Sequence, residues 1–329
     1  MILKKPILVT GGAGYIGSQN CKELAKRGFL PITFDNLSTG NENFIKWGSF
    51  FKGDLKDKDR LSWVIKKTKP TAVMHFAANA LVSESIKNPK KYYENNVIGT
   101  LNLLNAMLEN DIRYLIFSSS CATYGHPQFS PMCENHPQEP ISPYGKSKYM
   151  IEQILKDYKK AYNLKYISLR YFNAAGADLD VEIGEDREEE SHLIPLAIDT
   201  ALGINSDLNI YGTDFNTKDG TAIRDYIHVQ DLATAHMRSL NYLFDQKRSL
   251  ELNLGSETGF SVLEVINEIQ SITNTKITMN FLPRREGDPE MLFATSKKAK
   301  EHLLWEPKFS DLKTILTSAI KWHKKKKVL

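Results

Sequence analysis

The stretch Thr10-Gly11-Gly12-Ala13-Gly14-Tyr15-Ile16-Gly17 lies between an apolar run, Ile7 to Val9, and a helical pattern, Tyr15 to Arg27. An apolar strand that leads through a glycine-rich turn into a helix is typical of dinucleotide-binding folds, whereas a glycine-rich loop without this context is common in many proteins. The context therefore predicts a phosphate-binding turn at the start of a βαβ unit.

Three glycines of this turn have separate physical roles. Gly11 permits a tight turn, Gly14 lets backbone N–H groups approach a pyrophosphate, and Gly17 lets the helix pack closely on its strand. The positive end of the helix dipole adds a favourable potential for an anion. We therefore expect a dinucleotide pyrophosphate at the N-terminus of this helix.

Asp35 ends the next apolar run, which begins at Leu30. Its distance from the glycines is the one expected for a carboxylate that binds both hydroxyls of an adenosine ribose. A 2′-phosphate would be repelled by this carboxylate, and the following Asn36 and Leu37 include no arginine to receive one. NAD is therefore the predicted cofactor, and NADP is disfavoured.

The first half of the chain alternates short apolar runs with helical patterns, as βαβ units do. We therefore predict an α/β fold, a Rossmann-type doubly wound parallel sheet with a smaller, loop-rich C-terminal substrate lobe. The predicted strands are Ile7 to Thr10, Leu30 to Asp35, Ala72 to Ala77, Tyr114 to Ser118 and Tyr166 to Phe172.

The pattern loosens in the second half, where the acidic stretch Glu185 to Glu190 and the loop Gly212 to Gly220 separate short elements. We predict that residues 1–172 form the NAD-binding domain and that residues 173–224 and 256–329 form the substrate lobe. Residues from about 225 to 255 are expected to pack back on the first domain.

Composition and charge exclude several classes of protein. The 329 residues are 41% hydrophobic and 25% charged, which suits a large buried core. The net charge is only +4, and the run Lys324 to Lys327 has no interleaved aromatic residues, so nucleic acid and membranes are disfavoured as partners. Cys21, Cys121 and Cys133 lack the spacing of a disulfide framework or zinc site, so we expect a cytoplasmic protein without a metal.

Tyr144 and Lys148 are four residues apart at the start of a helical pattern, which places both side chains on one helix face. Tyrosine has a pKa of about 10, too high for a general base at neutral pH. A nearby ammonium stabilises the phenolate, so the pair is a candidate for general acid and base catalysis. Without other support, a tyrosine and a lysine at this spacing are more often an exposed pair on a helix surface.

The pair is not alone, because Ser118, Ser119 and Ser120 follow the apolar run that begins at Tyr114. Strands of a doubly wound sheet end at the cofactor crevice, so one of these hydroxyls can share a substrate proton. Together these groups predict oxidation of a secondary alcohol.

The chain resembles the extended short-chain dehydrogenase/reductases and, within them, the UDP-glucose 4-epimerases, over essentially its whole length. The motifs that carry the resemblance agree in order with that family. They are Thr10 to Ser18, Asp35-Asn36, Gly53-Asp54, His75-Phe76-Ala77-Ala78, Asn95-Asn96, Ser118-Ser119-Ser120, Tyr144 to Lys148, Arg170 to Asn173, Arg224-Asp225-Tyr226-Ile227-His228 and Arg284 to Asp288.

The resemblance implies that Tyr144 is base and acid, that Ser120 relays the proton, and that Lys148 binds the nicotinamide ribose. It implies cofactor contacts at Gly11, Gly14, Tyr15, Ile16, Gly17, Asp35, Asn36, Asp54, Leu55, Phe76, Ala77, Ala78, Asn95, Ser118, Tyr144, Lys148, Tyr171 and Phe172. It implies UDP-sugar contacts at Ser120, Tyr144, Asn173, His192, Leu193, Tyr211, Arg224, Arg285, Asp288 and Leu292, with the two arginines on the diphosphate.

The implied reaction is reversible C4 epimerisation of a UDP-hexose through a 4-keto sugar, with tightly bound NAD and no net use of it. A 4,6-dehydratase is the nearest alternative, but its relatives carry an Asp-Glu pair where this chain has Cys121 and Ala122. A dehydrogenase that releases the 4-keto sugar as its product is a second alternative function. A catalytically silent NAD-binding regulator would be expected to lose Tyr144 or Lys148.

Some positions depart from the family pattern or leave the specificity open. Gln19 replaces a common histidine and Ala80 a cofactor-binding lysine, so weaker NAD retention is expected. Leu292 falls beside the position of the sugar's 2-substituent. Its size does not select between UDP-glucose and N-acetylated UDP-sugars, so both are candidate substrates. The resemblance also implies a homodimer that pairs two helices, Asn95 to Met107 and Ser147 to Tyr162.

Overall fold

The computed structural model describes residues 5–285 and 287–328, without the side chains of residues 327 and 328. The strands of this part are β1 (Pro6–Thr10), β2 (Leu30–Asp35), β3 (Ser49–Lys52), β4 (Ala72–His75), β5 (Tyr114–Ser118), β6 (Lys165–Arg170), β7 (Asn173–Ala175), β8 (Leu208–Tyr211), β9 (Ile223–Arg224), β10 (Tyr226–His228), β11 (Leu250–Asn253), β12 (Phe260–Ser261), β13 (Met279–Leu282) and β14 (Met291–Leu292). The α-helices are α1 (Tyr15–Lys26), α2 (Lys58–Thr68), α3 (Val82–Lys87), α4 (Pro89–Tyr92), α5 (Gly99–Glu109), α6 (Pro143–Tyr162), α7 (Leu193–Ala201), α8 (Val229–Gln246), α9 (Val262–Thr273), α10 (Lys297–Leu303) and α11 (Leu312–Val328), with a π-helical segment, Tyr93–Ile98, before α5.

The main sheet has seven parallel strands in the order β3-β2-β1-β4-β5-β6-β11. The chain builds outward from β1 to β3 and then returns to the other side of β1 at β4. Ligands of doubly wound sheets bind where this reversal occurs, at the carboxyl ends of the strands. The predicted fold class is therefore confirmed, and β1 and β4 mark the place of the site.

Helices cover both faces of the sheet, which explains why central strands such as β1 and β4 are mostly apolar and buried. In β1, Ile7 and Val9 point into one core, with Leu24 of α1 and Leu240 of α8. Leu8 points to the opposite core, formed with helices α2, α5 and α6. The alternation along one strand thus anchors two helical layers.

The predicted strands agree with the sheet apart from their ends. The third ends at His75 and not at Ala77, and the fifth runs from Lys165 to Arg170. Strand β3 was not predicted, because its four residues are only partly buried or exposed and carry no strong apolar pattern.

The second half builds a separate apolar core from α7, α9 and α11, with residues such as Ile198, Ile269 and Ile315. Segment α8 to β11 returns to the main sheet, where β11 pairs with β6. Leu303 and Trp305 also join the core around β1, although they fall in the range assigned to the substrate lobe. Of the helices in residues 5–285 and 287–328, none is long and apolar enough to cross a bilayer.

Three buried histidines predict a loss of stability in mild acid. Burial lowers the pKa of His75 to about 3 and the pKa of His228 and His236 to about 4. Their contribution is fully present above the unfolded pKa of about 6.5 and is lost as the pH falls towards the folded values. Burial raises the pKa of Asp225 to about 6, so protonation of this group favours the folded state as the pH falls and offsets part of the loss from the histidines. We expect the free energy of unfolding to fall by about 4 kcal/mol between about pH 7 and pH 5.

Urea unfolding of the NAD-free chain at the two pH values measures this effect. The variant His236→Gln is expected to be less stable at neutral pH but less sensitive to acid, since it removes one of the titrating groups. His302, which is exposed, is the matched position for His302→Gln. Equal stability of the unchanged chain at both pH values would contradict the prediction.

Candidate active site

The carboxyl ends of the central strands meet at one edge of the sheet. Strand β1 ends at Thr10 before the glycine turn, β2 ends at Asp35, β4 at His75 and β5 at Ser118. This edge borders the reversal between β1 and β4. Residues that the sequence assigned to the cofactor and to catalysis therefore share one edge, as expected for strand ends in a doubly wound sheet.

The glycine turn is too crowded for side chains. Gly11 has a φ of +73°, and a Cβ there would lie 2.5 Å from the backbone nitrogen of Ala77. A Cβ on Gly17 would lie 2.1 Å from the carbonyl oxygen of Gly11, so Gly17 lets α1 pack against the turn itself. No described side chain caps the start of α1 at Gly14. The N–H groups of its first turn therefore fit a pyrophosphate.

Asp35 is buried, and backbone donors hold its carboxylate. Oδ2 accepts from the N–H of Ala13 at 3.0 Å and Oδ1 from the N–H of Leu37 at 2.8 Å. Burial raises the pKa of Asp35, and these two hydrogen bonds oppose the rise. Each oxygen keeps a further lone pair, so the carboxylate fits a pair of ribose hydroxyls next to the turn.

The other expected cofactor residues surround the same edge. The amide of Asn36 donates to Asp54 at 2.9 Å, and Leu55 is buried beside them. The N–H groups of Phe76 and Ala77 both donate to the carbonyl oxygen of Thr10, so the chain after β4 lies against the turn.

Three aromatic residues of the expected cofactor set also lie near these strand ends. The hydroxyl of Tyr15 donates to the carbonyl of Gly176 at 2.5 Å, and Tyr171 shares a hydrogen bond of 2.5 Å with Ser118. Phe172 packs farther along, beside Cys121 and Tyr124. The remaining residues of the cofactor set are Ile16, packed against the core around β1, the half-buried Ala78, and Asn95, whose amide donates to Asn96 at 3.1 Å.

Helix α6 brings the tyrosine and lysine together. Its N-cap is Ser142, whose hydroxyl accepts from the N–H of Gly145 at 3.1 Å, so the helix begins immediately before Tyr144. Tyr144 hydrogen-bonds to Ser120, and the Nζ of Lys148 lies 5.9 Å from the Tyr144 ring centroid. The spacing therefore yields the predicted side-chain cluster.

Lys148 donates from Nζ to the carbonyl oxygen of Ser118 at 2.7 Å. Burial lowers the pKa of Lys148 to about 7, and the charge of Glu152 opposes this shift. Burial raises the pKa of Tyr144, while the Ser120 hydrogen bond and the charge of Arg187 lower it. In the NAD-free chain, Ser120 and Arg187 are the groups that oppose this rise, and the tuning of Tyr144 by Lys148 stays a prediction.

A cavity of about 490 Å³ opens in the second half of the chain. The expected substrate residues that line it are Asn173, His192, Leu193, Tyr211, Arg224, Arg285 and Asp288. Ser120 and Tyr144 do not line it and lie at the sheet edge. Leu292 does not line it either, but packs with Cys121 and Tyr124. The volume fits a nucleotide-sized ligand.

The two arginines hold different positions in this cavity. Arg224 donates from Nη1 to the carbonyls of Ile223 and Pro289, each at 2.9 Å, and its Nη2 lies 3.4 Å from Asp288. The guanidinium carbon of Arg285 lies 3.9 Å from the ring centroid of Tyr211. Both guanidinium groups can offer paired donors to a diphosphate.

Residues 7–255 match the model of a family described as the NAD dependent epimerase/dehydratase family. The chain belongs to this family. It is 50% identical over 320 residues to the UDP-glucose 4-epimerase of Rhizobium meliloti (strain 1021), covering 97% of each chain. Among solved structures, a UDP-glucose 4-epimerase from Brucella ovis in complex with NAD superposes with a TM-score of 0.95 at 46% identity, covering 96% of this chain and 98% of that one. A UDP-Glc/GlcNAc 4-epimerase from Campylobacter jejuni superposes with a TM-score of 0.86 at 40% identity, covering 98% and 99%.

For a member of the NAD dependent epimerase/dehydratase family, Gln19 has an unexpected set of contacts. Its amide nitrogen donates to Gln230 at 2.6 Å and lies 3.4 Å from Asp178. The side chain thus links α1 to α8 and to the segment after β7. Ala80, the other departure, is exposed.

Sequence reasoning missed an ion-pair chain in the acidic stretch of this family member. Glu185 is buried, and its Oε1 lies 2.8 Å from Nδ1 of His192 and 2.9 Å from Nε of Arg187. Glu185 and His192 line the cavity, and the charge of Arg187 reaches Tyr144. These ion pairs therefore border the cavity, and through Arg187 they also contribute a positive charge near Tyr144. Nothing in the stretch Glu185 to Glu190, which is acidic apart from Arg187, indicates which of its residues is buried.

Proposed function

We propose that the chain catalyses reversible C4 epimerisation of UDP-glucose and UDP-galactose through a 4-keto sugar, with tightly bound NAD. The observation that carries this proposal is the assembly of Tyr144, Ser120 and Lys148 at the sheet edge that also holds the glycine turn. The cavity with Arg224 and Arg285 supplies the site for the diphosphate. Relatives at 50% and 49% identity are UDP-glucose 4-epimerases.

In the proposed mechanism, the phenolic oxygen of Tyr144 takes the proton of the 4-hydroxyl, and Ser120 relays it through their hydrogen bond. The glycine turn and Asp35 would hold NAD⁺, which would supply reversible hydride exchange with C4 of the sugar. Once the bound 4-keto sugar has turned its other face of C4 towards the hydride donor, Tyr144 returns the proton to the oxygen on C4. Arg224 and Arg285 must hold the diphosphate firmly, because the hexose has to rotate while the nucleotide stays in place.

Elimination at the sugar is disfavoured at the same edge. A 4,6-dehydratase needs a second acid and base, and the positions after Ser120 are Cys121 and Ala122. Cys121 is buried, and burial raises the pKa of its thiol well above the usual range. Neither residue can move a proton at neutral pH, so inversion at C4 is the chemistry that these residues support.

The decisive experiment is incubation of the purified holoenzyme with UDP-galactose and, separately, with UDP-N-acetylgalactosamine, without added NAD. We expect conversion of UDP-galactose to UDP-glucose with no accumulation of NADH or free ketone. Accumulated NADH or ketone would indicate a dehydrogenase, and no inversion of either sugar would overturn the proposal. The relative rates decide whether N-acetylated sugars are accepted, as the name of the Campylobacter jejuni relative suggests for that enzyme.

Replacing Arg285 by glutamine tests the diphosphate site. We expect the KM for UDP-galactose to rise about tenfold with kcat within about twofold, because the lost contact binds substrate and transition state alike. The neighbouring Arg284 is the matched control, since it is exposed, pairs with Asp214 and does not line the cavity. Arg284→Gln should leave KM unchanged, and equal effects of the two variants would contradict the assignment.

We also propose a cytoplasmic homodimer that pairs the helices around residues 95–107 and 147–162. Its support is a group of exposed apolar side chains on these segments, Ile98, Met150 and Tyr162, and three free cysteines that suit a reducing compartment. Analytical ultracentrifugation of the unchanged chain and of Met150→Lys tests it. A monomeric unchanged chain would refute the dimer.

We further propose that the epimerisation reaction serves galactose metabolism.

A further inference from the structure

Glu152 lies on the same face of α6 as the two proposed catalytic residues. It follows Lys148 by one helical turn and Tyr144 by two, and its side chain is fully buried. A buried carboxylate is costly unless donors satisfy it. The contacts of Glu152 therefore show what this position is built for.

Four hydrogen bonds hold the Glu152 carboxylate. Its Oε1 accepts from the hydroxyl of Ser119 at 2.6 Å and from Nε of Arg170 at 2.9 Å. Its Oε2 accepts from Nη2 of Arg170 at 2.6 Å and from the amide of Gln138 at 3.0 Å. Arg170, at the end of β6, therefore neutralises the carboxylate in a two-pronged ion pair.

The Ser119 contact ties this carboxylate to the catalytic edge. The serines at the end of β5 each meet a different group of α6. Ser118 accepts from Lys148 through its carbonyl, Ser119 donates to Glu152, and Ser120 bonds to Tyr144. Because the three serines are consecutive, movement of Ser119 would displace the contacts on both sides of it.

We propose that Glu152 is a positioning residue of the active site, which holds the Ser118-Ser119-Ser120 strand end through Ser119 and places a buried negative charge one helical turn from Lys148. The inference rests on the proposed function, since it gives the three residues their catalytic roles. It extends that function to a residue that meets neither substrate nor cofactor.

The electrostatic half of the proposal follows from the groups around Lys148. On its own helix it faces Tyr144 and Glu152, and from β6 the Arg170 guanidinium lies beyond Glu152. From β4 it faces His75, which is neutral because burial and Lys148 lower its pKa to about 3. Burial lowers the pKa of Lys148 to about 7, and Glu152 raises it.

The competing explanation is that Glu152 only stabilises the fold, as many buried ion pairs are at most structural. The variant Glu152→Gln separates the two, because it keeps the shape and removes the charge. Loss of the charge lowers the pKa of Lys148, so activity should be lost at lower pH than in the unchanged enzyme. We expect kcat to fall about tenfold at about pH 8.5 and clearly less at about pH 6.5, with little change in KM.

Ser119→Ala tests the other half, since it removes only the link to the strand end. We expect kcat to fall about fivefold at every pH, with the shape of the pH profile unchanged. Glu152→Asp, which restores the charge, should return the pH profile towards normal. All three variants are assayed as holoenzymes with UDP-galactose, beside their thermal unfolding midpoints.

A uniform loss in Glu152→Gln at every pH, in step with a lower unfolding midpoint, would show a structural role only and overturn the proposal. Unchanged kcat in Ser119→Ala would also overturn the positioning role, even if Glu152→Gln fails to fold. Tyr144→Phe keeps the two levels apart. An inactive Tyr144→Phe beside a normal Glu152→Gln refutes this inference alone, whereas an active Tyr144→Phe refutes the proposed function.

Discussion

Replacing Tyr144 by phenylalanine is expected to lower kcat with UDP-galactose by about 1,000-fold or more, because the variant lacks the phenolic oxygen that exchanges a proton with the sugar. The ring itself is retained, and it packs edge-on against Tyr92 at a centroid distance of 6.4 Å. The fold and the glycine turn should therefore persist. The measurements are turnover of UDP-galactose and the NAD content of the purified protein, which we expect to be unchanged.

The matched control for this variant lies at the end of the same helix. Tyr162 is half exposed and packs against Tyr158, far along α6 from the catalytic edge. Tyr162→Phe should retain full activity. Near-normal turnover in Tyr144→Phe would contradict the assignment of base and acid, whatever the state of the cofactor site.

Site residues could be predicted from the sequence where local backbone geometry alone fixes their positions. A glycine that needs a positive φ, such as Gly11, and strand ends that precede polar residues, such as Asp35 and Ser118, are local properties. The parallel sheet then brings them together at one edge. The spacing of Tyr144 and Lys148 was equally sufficient, because a helix places residues four apart on one face.

Properties that depend on the surroundings of a side chain were not predictable in this way. The rise in the pKa of Tyr144 through burial, and the hydrogen bond from Lys148 to the Ser118 carbonyl, both depend on the packing of other elements against α6. Leu292 packs with Cys121 and Tyr124, which the sequence does not reveal, and its place beside the sugar stays a prediction. Glu185 stands in an acidic stretch, and the sequence does not reveal that it is buried beside Arg187 and His192. These properties depend on how the folded segments pack around each side chain.

Glu152 is an intermediate case, because its position four residues after Lys148 is visible in the sequence. The helical period predicts that it shares a face with Tyr144 and Lys148. What the sequence does not show is that Ser119 and Arg170 meet it there. The period places a side chain, and only the packing of β5 and β6 against α6 gives it partners.

Replacing Gly17 by alanine is expected to damage the fold as well as cofactor binding. The new Cβ would lie 2.1 Å from the carbonyl oxygen of Gly11, a backbone atom that cannot move without displacing the turn. We expect the free energy of unfolding of the NAD-free chain to fall by about 3 kcal/mol, as for other overpacked sites. Urea unfolding measures it, and NAD titration should show no saturable binding.

Gly14→Ala is the matched variant that separates the turn's structural role from its binding role. Gly14 has φ −81° and ψ 171°, which alanine adopts without strain, and its Cβ would lie 3.3 Å from the Gly11 oxygen. The NAD-free chain should therefore lose less than about 1 kcal/mol of unfolding free energy. If the pyrophosphate approaches the chain at this glycine, as the sequence predicts, the added methyl group would obstruct it, so NAD affinity should fall about 100-fold. If Gly14→Ala binds NAD as tightly as the unchanged chain, the pyrophosphate does not approach at this glycine, and the position of the cofactor on the turn must be revised.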